Sequence, residues 1–334
     1  MKKKTKTALK ITGIVALALG VLTGGAAGYL IVKDKQAAAD YIPNLNAAGI
    51  FSPGQDAEHP RPITCIAELL RAHFTAPLPE GKTQKKALLI GLDGLRADGL
   101  ENLTTADESG ILTLKAQGGL YPIFTGGIEG ALQDTSTAPG WASMLTGTWA
   151  LEDGGHGVLD NGDGKGIEPK TVLTELLEGK KMDSAAFLVS WDGHLESKKA
   201  TYAAEAAYTK EQGLAERMRW ETFKNDDGTF AAASAALSSG DDTPDLTFLI
   251  LEYGDHTGHT SGFGNKNPRY REAVRTADAQ AKRLLDIVAA RENYTTEDWL
   301  LLIATDHGGT GLNHGGQSVQ ERNIFLATNQ ALPD

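Results

Sequence analysis

The sequence predicts an α/β protein built on a central, mainly parallel sheet sandwiched by helices. Two observations carry this reading. Short, fully apolar runs recur along the chain, and amphipathic helical patterns alternate with them. A strand apolar along its whole length is buried on both faces, as in parallel sheets, and the alternation with helices supplies the crossovers. A chain of 334 residues, 41% apolar and 22% charged, is long and apolar enough to bury a large core and is not of disordered composition.

The first 35 residues stand apart. MKKKTKTALK carries five lysines, and residues 11–32, ITGIVALALGVLTGGAAGYLIV, carry no charge over 22 positions. That length spans a bilayer as one helix, and the lysines before it place the rest of the chain outside by the positive-inside rule. The alternative is a secretory signal cleaved after Ala37–Ala39, although signals carry a shorter apolar region of roughly 7–15 residues. Residues 1–35 are therefore expected to form a cytoplasmic tail and membrane anchor, residues 36–85 a stalk or lead-in, and residues 86–334 the globular body. In the lead-in, rich in Pro, Ala and Gly, only ITCIAELLRAHF reads as a helix.

In the body, ALLIG (87–91), AAFLVS (185–190), LTFLILE (246–252) and WLLLIA (299–304) read as buried strands. TVLTELLEG, AAEAAYTKEQGLAERMRW and YREAVRTADAQAKRLLDIVAARE read as helices. The stretch 225–245, NDDGTFAAASAALSSGDDTPD, is loop-like at both ends and reads as a flexible excursion. Cys65 is the only cysteine, which excludes an internal disulfide and a Cys-based zinc site.

Without residues 1–35, which hold seven Lys and one Asp, the chain keeps 25 basic and 42 acidic residues, a net charge of −17. So acidic a body is unsuited to long nucleic acid, whose binding rests on many Lys and Arg contacts to phosphate. Positive charge for handling a phosphate would have to come from metal ions.

Three strands deliver an acid at their ends: Asp93 after ALLIGL, Asp255 after FLILEYG and Asp306 after LLIAT. An acid after a strand commonly caps the next helix or closes a turn. In an open α/β sheet, however, the carboxyl edge of the strands is where ligands bind, and two of these acids are accompanied by histidines. Asp255 and His259, four apart, can reach one ion, with His314 joining from the opposite loop; His256 is an alternative to His259. Asp306 and His307 pair with Asp93 on a second ion. Carboxylate oxygen with imidazole nitrogen suits zinc or a similar transition metal, and calcium would take oxygen alone. Two such ions about 3.5–4 Å apart form a clamp for in-line displacement at phosphorus. His59, His73, His156 and His194 read as ordinary core or surface residues. A nucleophile is available among Thr135, Ser136 and Thr137, before a helical run starting near Trp141, although hydroxyls there commonly serve as caps.

In order, GLDGLRADGL, TSTAPGWASMLTG, HGVLDN, DHTGH, TDHGG and NHGG resemble the alkaline phosphatase superfamily, in its nucleotide pyrophosphatase/phosphodiesterase branch, over about residues 86–328. The resemblance implies a mainly parallel sheet between helices with two zinc ions at the strand ends. It implies Asp93, Thr137, Asp306 and His307 as ligands of one zinc, with Thr137 also the nucleophile, and Asp255, His259 and His314 as ligands of the other. It adds Asn161 as hydrogen-bond donor to a non-bridging phosphate oxygen. Ala138 and Gly140 stand where members often carry a base-stacking aromatic and an asparagine. A formylglycine sulfatase is excluded, because Thr137 cannot form that residue. The expected function is an extracytoplasmic hydrolase of phosphodiesters or pyrophosphates, with a small phosphate ester as substrate. A phosphomonoesterase of the same superfamily and a non-catalytic surface binding protein are the rivals.

Overall fold

A computed structural model of the chain describes residues 38–162, 167, 170–197 and 199–332. The expected anchor at 11–32 lies outside these residues; among the described residues no helix is long and apolar enough to cross a membrane. The chain divides into two compact units, Met1–Asn44 and Leu45–Asp334. Of the first, residues 38–44 are described and are helical, so ITCIAELLRAHF is not the one helix of the lead-in.

The strands of the second unit are β1 (Arg61–Pro62), β2 (Gln84–Leu92), β3 (Gly119–Phe124), the hairpin β4 (Gly127–Ile128) and β5 (Ala131–Leu132), β6 (Ala185–Val189), β7 (Met218–Thr222), β8 (Leu246–Leu251), β9 (Glu297–Ala304) and β10 (Asn323–Thr328). Apart from the hairpin they form one eight-stranded sheet in the order β1-β3-β10-β9-β2-β8-β6-β7. The run β9-β2-β8-β6-β7 is parallel throughout, and β10 is antiparallel to both its neighbours.

The four apolar runs are β2, β6, β8 and β9, and each is apolar because a layer of helices covers either face. Leu89, Phe187, Phe248, Ile250 and Leu302 pack with Ile66, Leu70, Trp141, Leu145, Val172 and Leu176 from the helices Cys65–Thr75, Thr137–Thr146 and Val172–Glu178. The intervening residues Leu88, Ile90, Leu249, Leu301 and Ile303 are equally buried, on the opposite face by the two-residue period of a strand. There the helix Pro268–Ala289 packs against Gly110–Gln117, Asp226–Leu237 and Tyr253–Ser261. The segment 45–85 contributes β1 at the sheet edge, and its helix Cys65–Thr75 buries Ile66, Ala67 and Leu70.

Three local readings are corrected. The stretch AAEAAYTKEQGLAERMRW is not one helix: helix Ala203–Glu211 stops before Gly213, which turns the chain at φ 73°, and Met218–Thr222 becomes the edge strand β7. The stretch 225–245 holds a helix, Asp226–Leu237, started by Asn225, whose side chain accepts from the Gly228 N–H. Its Ala233, Ala236 and Leu237 are buried. Strands β3 and β10 were not foreseen; Pro122 inside β3 argues locally against a strand.

Candidate metal and phosphoryl-transfer site

Strands β9, β2 and β8 lie side by side and parallel, so the residues following them emerge at one edge. Asp93 follows β2 directly, Asp306 follows β9, and Asp255 lies in the first turn of the helix after β8. The close approach of these loops demands glycine at two places. At Gly94, with φ 66°, a Cβ would lie 2.8 Å from the Asp255 Cα; at Gly140 it would lie 2.9 Å from the Asp306 Cβ.

The first cluster is Asp93, Asp306 and His307, all fully buried. The His307 Nδ1 sits 2.7 Å from the Gly308 carbonyl and donates to it, which leaves the Nε2 lone pair facing inward. Around that Nε2 stand Asp93 Oδ1 at 3.4 Å, Asp306 Oδ2 at 3.5 Å and Thr137 Oγ1 at 3.4 Å. Asp93 is oriented from behind by the indole N–H of Trp141, which donates to its Oδ2 at 3.0 Å, and Asp306 Oδ1 accepts from the Gly94 N–H at 3.3 Å.

The second cluster joins the first through His307. Asp255, His307 and His314 bring their donor atoms within 4.8 Å of one another, and the His307 and His314 rings lie 4.1 Å apart. Asp255 Oδ1 is 3.4 Å from His314 Nε2, and its Oδ2 is 3.4 Å from His259 Nε2. His259 donates from Nδ1 to the Leu312 carbonyl at 2.9 Å, so its Nε2 also faces inward, 3.0 Å from His314 Nε2. His256 is exposed. One position along a helix turns a side chain about 100° from Asp255, whereas four positions return it to the same face. Geometry therefore groups His259, and not His256, with Asp255.

Burial pushes the carboxyls of Asp93 and Asp306 well above the ordinary value, and the neighbouring acids add to it. Asp255 is also raised, by burial, against the opposing pull of His314, His259 and His256. Burial drives His307 well down and lowers His314. Asp93 Oδ1, Asp306 Oδ2 and Asp255 Oδ1 are buried with no hydrogen-bond partner. Orphaned carboxylate oxygens converging with imidazole lone pairs are a donor set that fits divalent metal ions, which satisfy both.

Thr137 is the first residue of helix Thr137–Thr146 and is nearly buried. The preceding Ser136 is the N-cap, yet its side chain makes no capping bond and its Oγ is buried without a partner. Asn161 is exposed, and its Oδ1 accepts from the Ala138 N–H at 2.8 Å, which holds the side chain beside Thr137. The structure thus brings all eight expected residues to one sheet edge. The supports supplied by Trp141 and by the Gly308 and Leu312 carbonyls were missed, and for the carbonyls no sequence signal exists.

A mainly parallel α/β sheet carrying these acids and histidines at its carboxyl edge is of the alkaline phosphatase kind. More narrowly, residues 87–328 match the type I phosphodiesterase/nucleotide pyrophosphatase family, and the chain belongs to it. No curated protein matches the chain significantly. Among solved structures it is similar to murine ectonucleotide pyrophosphatase/phosphodiesterase 5, at 17% identity and a TM-score of 0.47, covering 68% of this chain and 58% of that one. It is also similar to the phosphonate monoester hydrolase of Agrobacterium radiobacter, at 12% identity and a TM-score of 0.47, covering 74% and 68%. An alkaline phosphatase superfamily protein from Vibrio parahaemolyticus gives 12% and 0.46, covering 85% and 71%. The chain thus spans less than two thirds of the length of the pyrophosphatase/phosphodiesterase structure.

Proposed function

We propose that this protein is a membrane-anchored, extracytoplasmic two-metal phosphohydrolase that cleaves small phosphodiesters or pyrophosphates through Thr137. The observation that carries the reading is Thr137 Oγ1 at a helix N-terminus, 3.4 Å from His307 Nε2 and beside both metal-type clusters. Asp93, Asp306, His307 and Thr137 would hold one ion, and Asp255, His259 and His314 the other; their donor types favour zinc. Ions bound there supply the positive charge that lowers the Thr137 hydroxyl pKa and offsets charge developing on the phosphoryl oxygens.

The chain's own groups do the rest. The helix N-terminus adds its dipole to the stabilisation of a Thr137 alkoxide and of phosphate oxygens. The Thr137 oxygen forms a bond to phosphorus as the bond to the leaving oxygen breaks in line. Water then displaces the threonine oxygen from phosphorus and regenerates the hydroxyl. Asn161, tied to the Ala138 amide through its carbonyl oxygen, presents its Nδ2 donor to a non-bridging oxygen, an interaction that strengthens as charge develops.

A diester is favoured over a monoester because Arg96, a candidate cation for a monoester's extra charge, is engaged elsewhere. Arg96 donates to Asp98 at 2.9 and 2.8 Å and to the Gly309 carbonyl at 3.2 Å. Ala138, in place of a stacking aromatic, argues for a leaving group other than a firmly held nucleobase. The net charge of −17 beyond residue 35 argues against long nucleic acid.

The test is turnover of bis-p-nitrophenyl phosphate, p-nitrophenyl phosphate and a p-nitrophenyl nucleotide by the full-length protein, with metal analysis. About two equivalents of zinc, fastest turnover of the simple diester and loss of activity on chelation are expected. Full activity in metal-free protein would refute the mechanism. A preference for the monoester would move the substrate class, and inactivity of zinc-loaded protein on all three would support a binding role.

A further inference from the structure

Asn161 lies in a stretch, residues 150–162, that is described without regular secondary structure. A loop residue that must meet a transition-state oxygen needs something to hold it, and the structure supplies a buried network that the proposed reaction does not otherwise use. We propose that His156, through Ser143 and Gln133, is a positioning residue that sets Asn161 against Thr137 for phosphoryl transfer. This rests on the role given to Asn161 above.

His156, Ser143 and Gln133 are all buried. The Val158 N–H donates to His156 Nδ1 at 3.1 Å, so the ring proton sits on Nε2, which donates to Ser143 Oγ at 2.9 Å. Ser143 lies on the same helix as Thr137. Gln133 Nε2 donates to Ser143 Oγ and to the Pro139 carbonyl, both at 2.9 Å, and Gln133 Oε1 accepts from the Ala150 N–H at 2.9 Å. Immediately after it, the Asp134 N–H donates to the Leu159 carbonyl at 3.0 Å.

These side-chain bonds, with the Asp134–Leu159 backbone bond, therefore join three pieces of the site: the segment leading to Thr137, the helix that Thr137 begins, and the stretch 150–159 that leads to Asn161. Burial pushes the His156 imidazole down to about 3, so it stays neutral and keeps this tautomer across the working range. The geometry is specific to histidine, since it needs an acceptor toward Val158 and a donor toward Ser143 on one rigid ring.

The experiment is a double-mutant cycle on the metal-replete, full-length protein with bis-p-nitrophenyl phosphate, using His156→Ala, Ser143→Ala, Asn161→Ala and the two combinations with Asn161→Ala. Asn161→Ala should lower kcat about 100-fold, as removal of one transition-state donor does. His156→Ala and Ser143→Ala should each lower kcat about tenfold or more with KM within about twofold, and that loss should vanish in the Asn161→Ala background. Exchange of the Ala138 amide, which Asn161 accepts from, should speed up in His156→Ala with the metal content unchanged.

Additive losses, or wild-type kcat in both single variants, would overturn the inference. If His156→Ala does not fold, Ser143→Ala decides by the same two outcomes. Wild-type activity in Asn161→Ala would instead remove the role assigned to Asn161, and the inference with it.

Discussion

The chemistry proposed at Thr137 depends on one hydroxyl and its neighbours. Its Oγ1 faces His307 Nε2, whereas the adjacent Ser136 Oγ is buried and unpartnered. Thr137→Ala should lower kcat by several orders of magnitude, and Thr137→Ser should keep a measurable fraction because the nucleophile survives. Ser136→Ala should cost about tenfold at most, since it forms no capping bond to lose. The reverse ranking, read by steady-state kinetics with metal content checked, would place the nucleophile one residue earlier. Glu252 gives a second prediction. Burial, with the charge of Asp226 behind it, pushes its carboxyl up from 4.5 to about 8. A folded value above the unfolded one means a contribution present in full below about pH 4.5 and lost as pH rises through about 8. In metal-free protein Glu252→Gln should therefore leave the unfolding free energy little changed near pH 4 and raise it near pH 9, by a few kcal/mol at most at roughly 1.36 kcal/mol per pKa unit, which a rise in Tm near pH 9 alone would report. An equal Tm change at both ends of that range would show that Glu252 does not titrate within it.

At the scale of the element, the helix Thr137–Thr146 and the loop after β9 approach so closely that Gly140 touches Asp306. A Cβ at Gly140 would lie 2.9 Å from the Asp306 Cβ and 2.9 Å from its backbone oxygen. This accounts for glycine where members of the family often carry asparagine. Gly140→Asn should not restore a family-like site here. It should push Asp306 away, lower the zinc stoichiometry and cut kcat by about 100-fold or more, by analogy with the cost of misplacing reacting groups by about 1 Å. Wild-type zinc content and turnover would show that the two segments have room to separate. The same scale shows why some elements were legible and others not. Strands β2, β6, β8 and β9 announce themselves because burial on both faces removes every polar residue from most of their length. The edge strand β7, MRWET, is only half-buried and carries the composition of the helix before it. Its strand character comes from pairing with β6, a partner about 30 residues away in sequence.

At the scale of the whole molecule, the proposed anchor and the catalytic unit make separate claims. The uncharged run 11–32 behind five lysines predicts that the full-length protein sediments with membranes and resists extraction by high salt and alkaline carbonate. Protease added outside intact cells should digest the unit that begins at Leu45. A protein released into the medium and shortened near Ala39 would establish the cleaved-signal alternative, and protection inside intact cells would refute the orientation. The sheet itself explains why three distant stretches of sequence make one site. Asp93, Asp255 and Asp306 are brought together because β2 lies between β8 and β9 with all three strands parallel.

The sequence alone determined the α/β class, the four central strands and the delivery of three acids, each at a strand end, because these follow from local burial and from the two-residue and 3.6-residue periods of neighbouring side chains. It also supplied donors of the type that hold transition metals. Only the tertiary structure decided that His307 stands between both clusters and that Trp141 holds Asp93 from behind. It alone decided that Gln133, Ser143 and His156 lock the Asn161 loop to the helix of Thr137. The physical reason is the same in each case: these contacts join side chains from different elements, and their existence depends on where the sheet sets those elements, which no local pattern encodes.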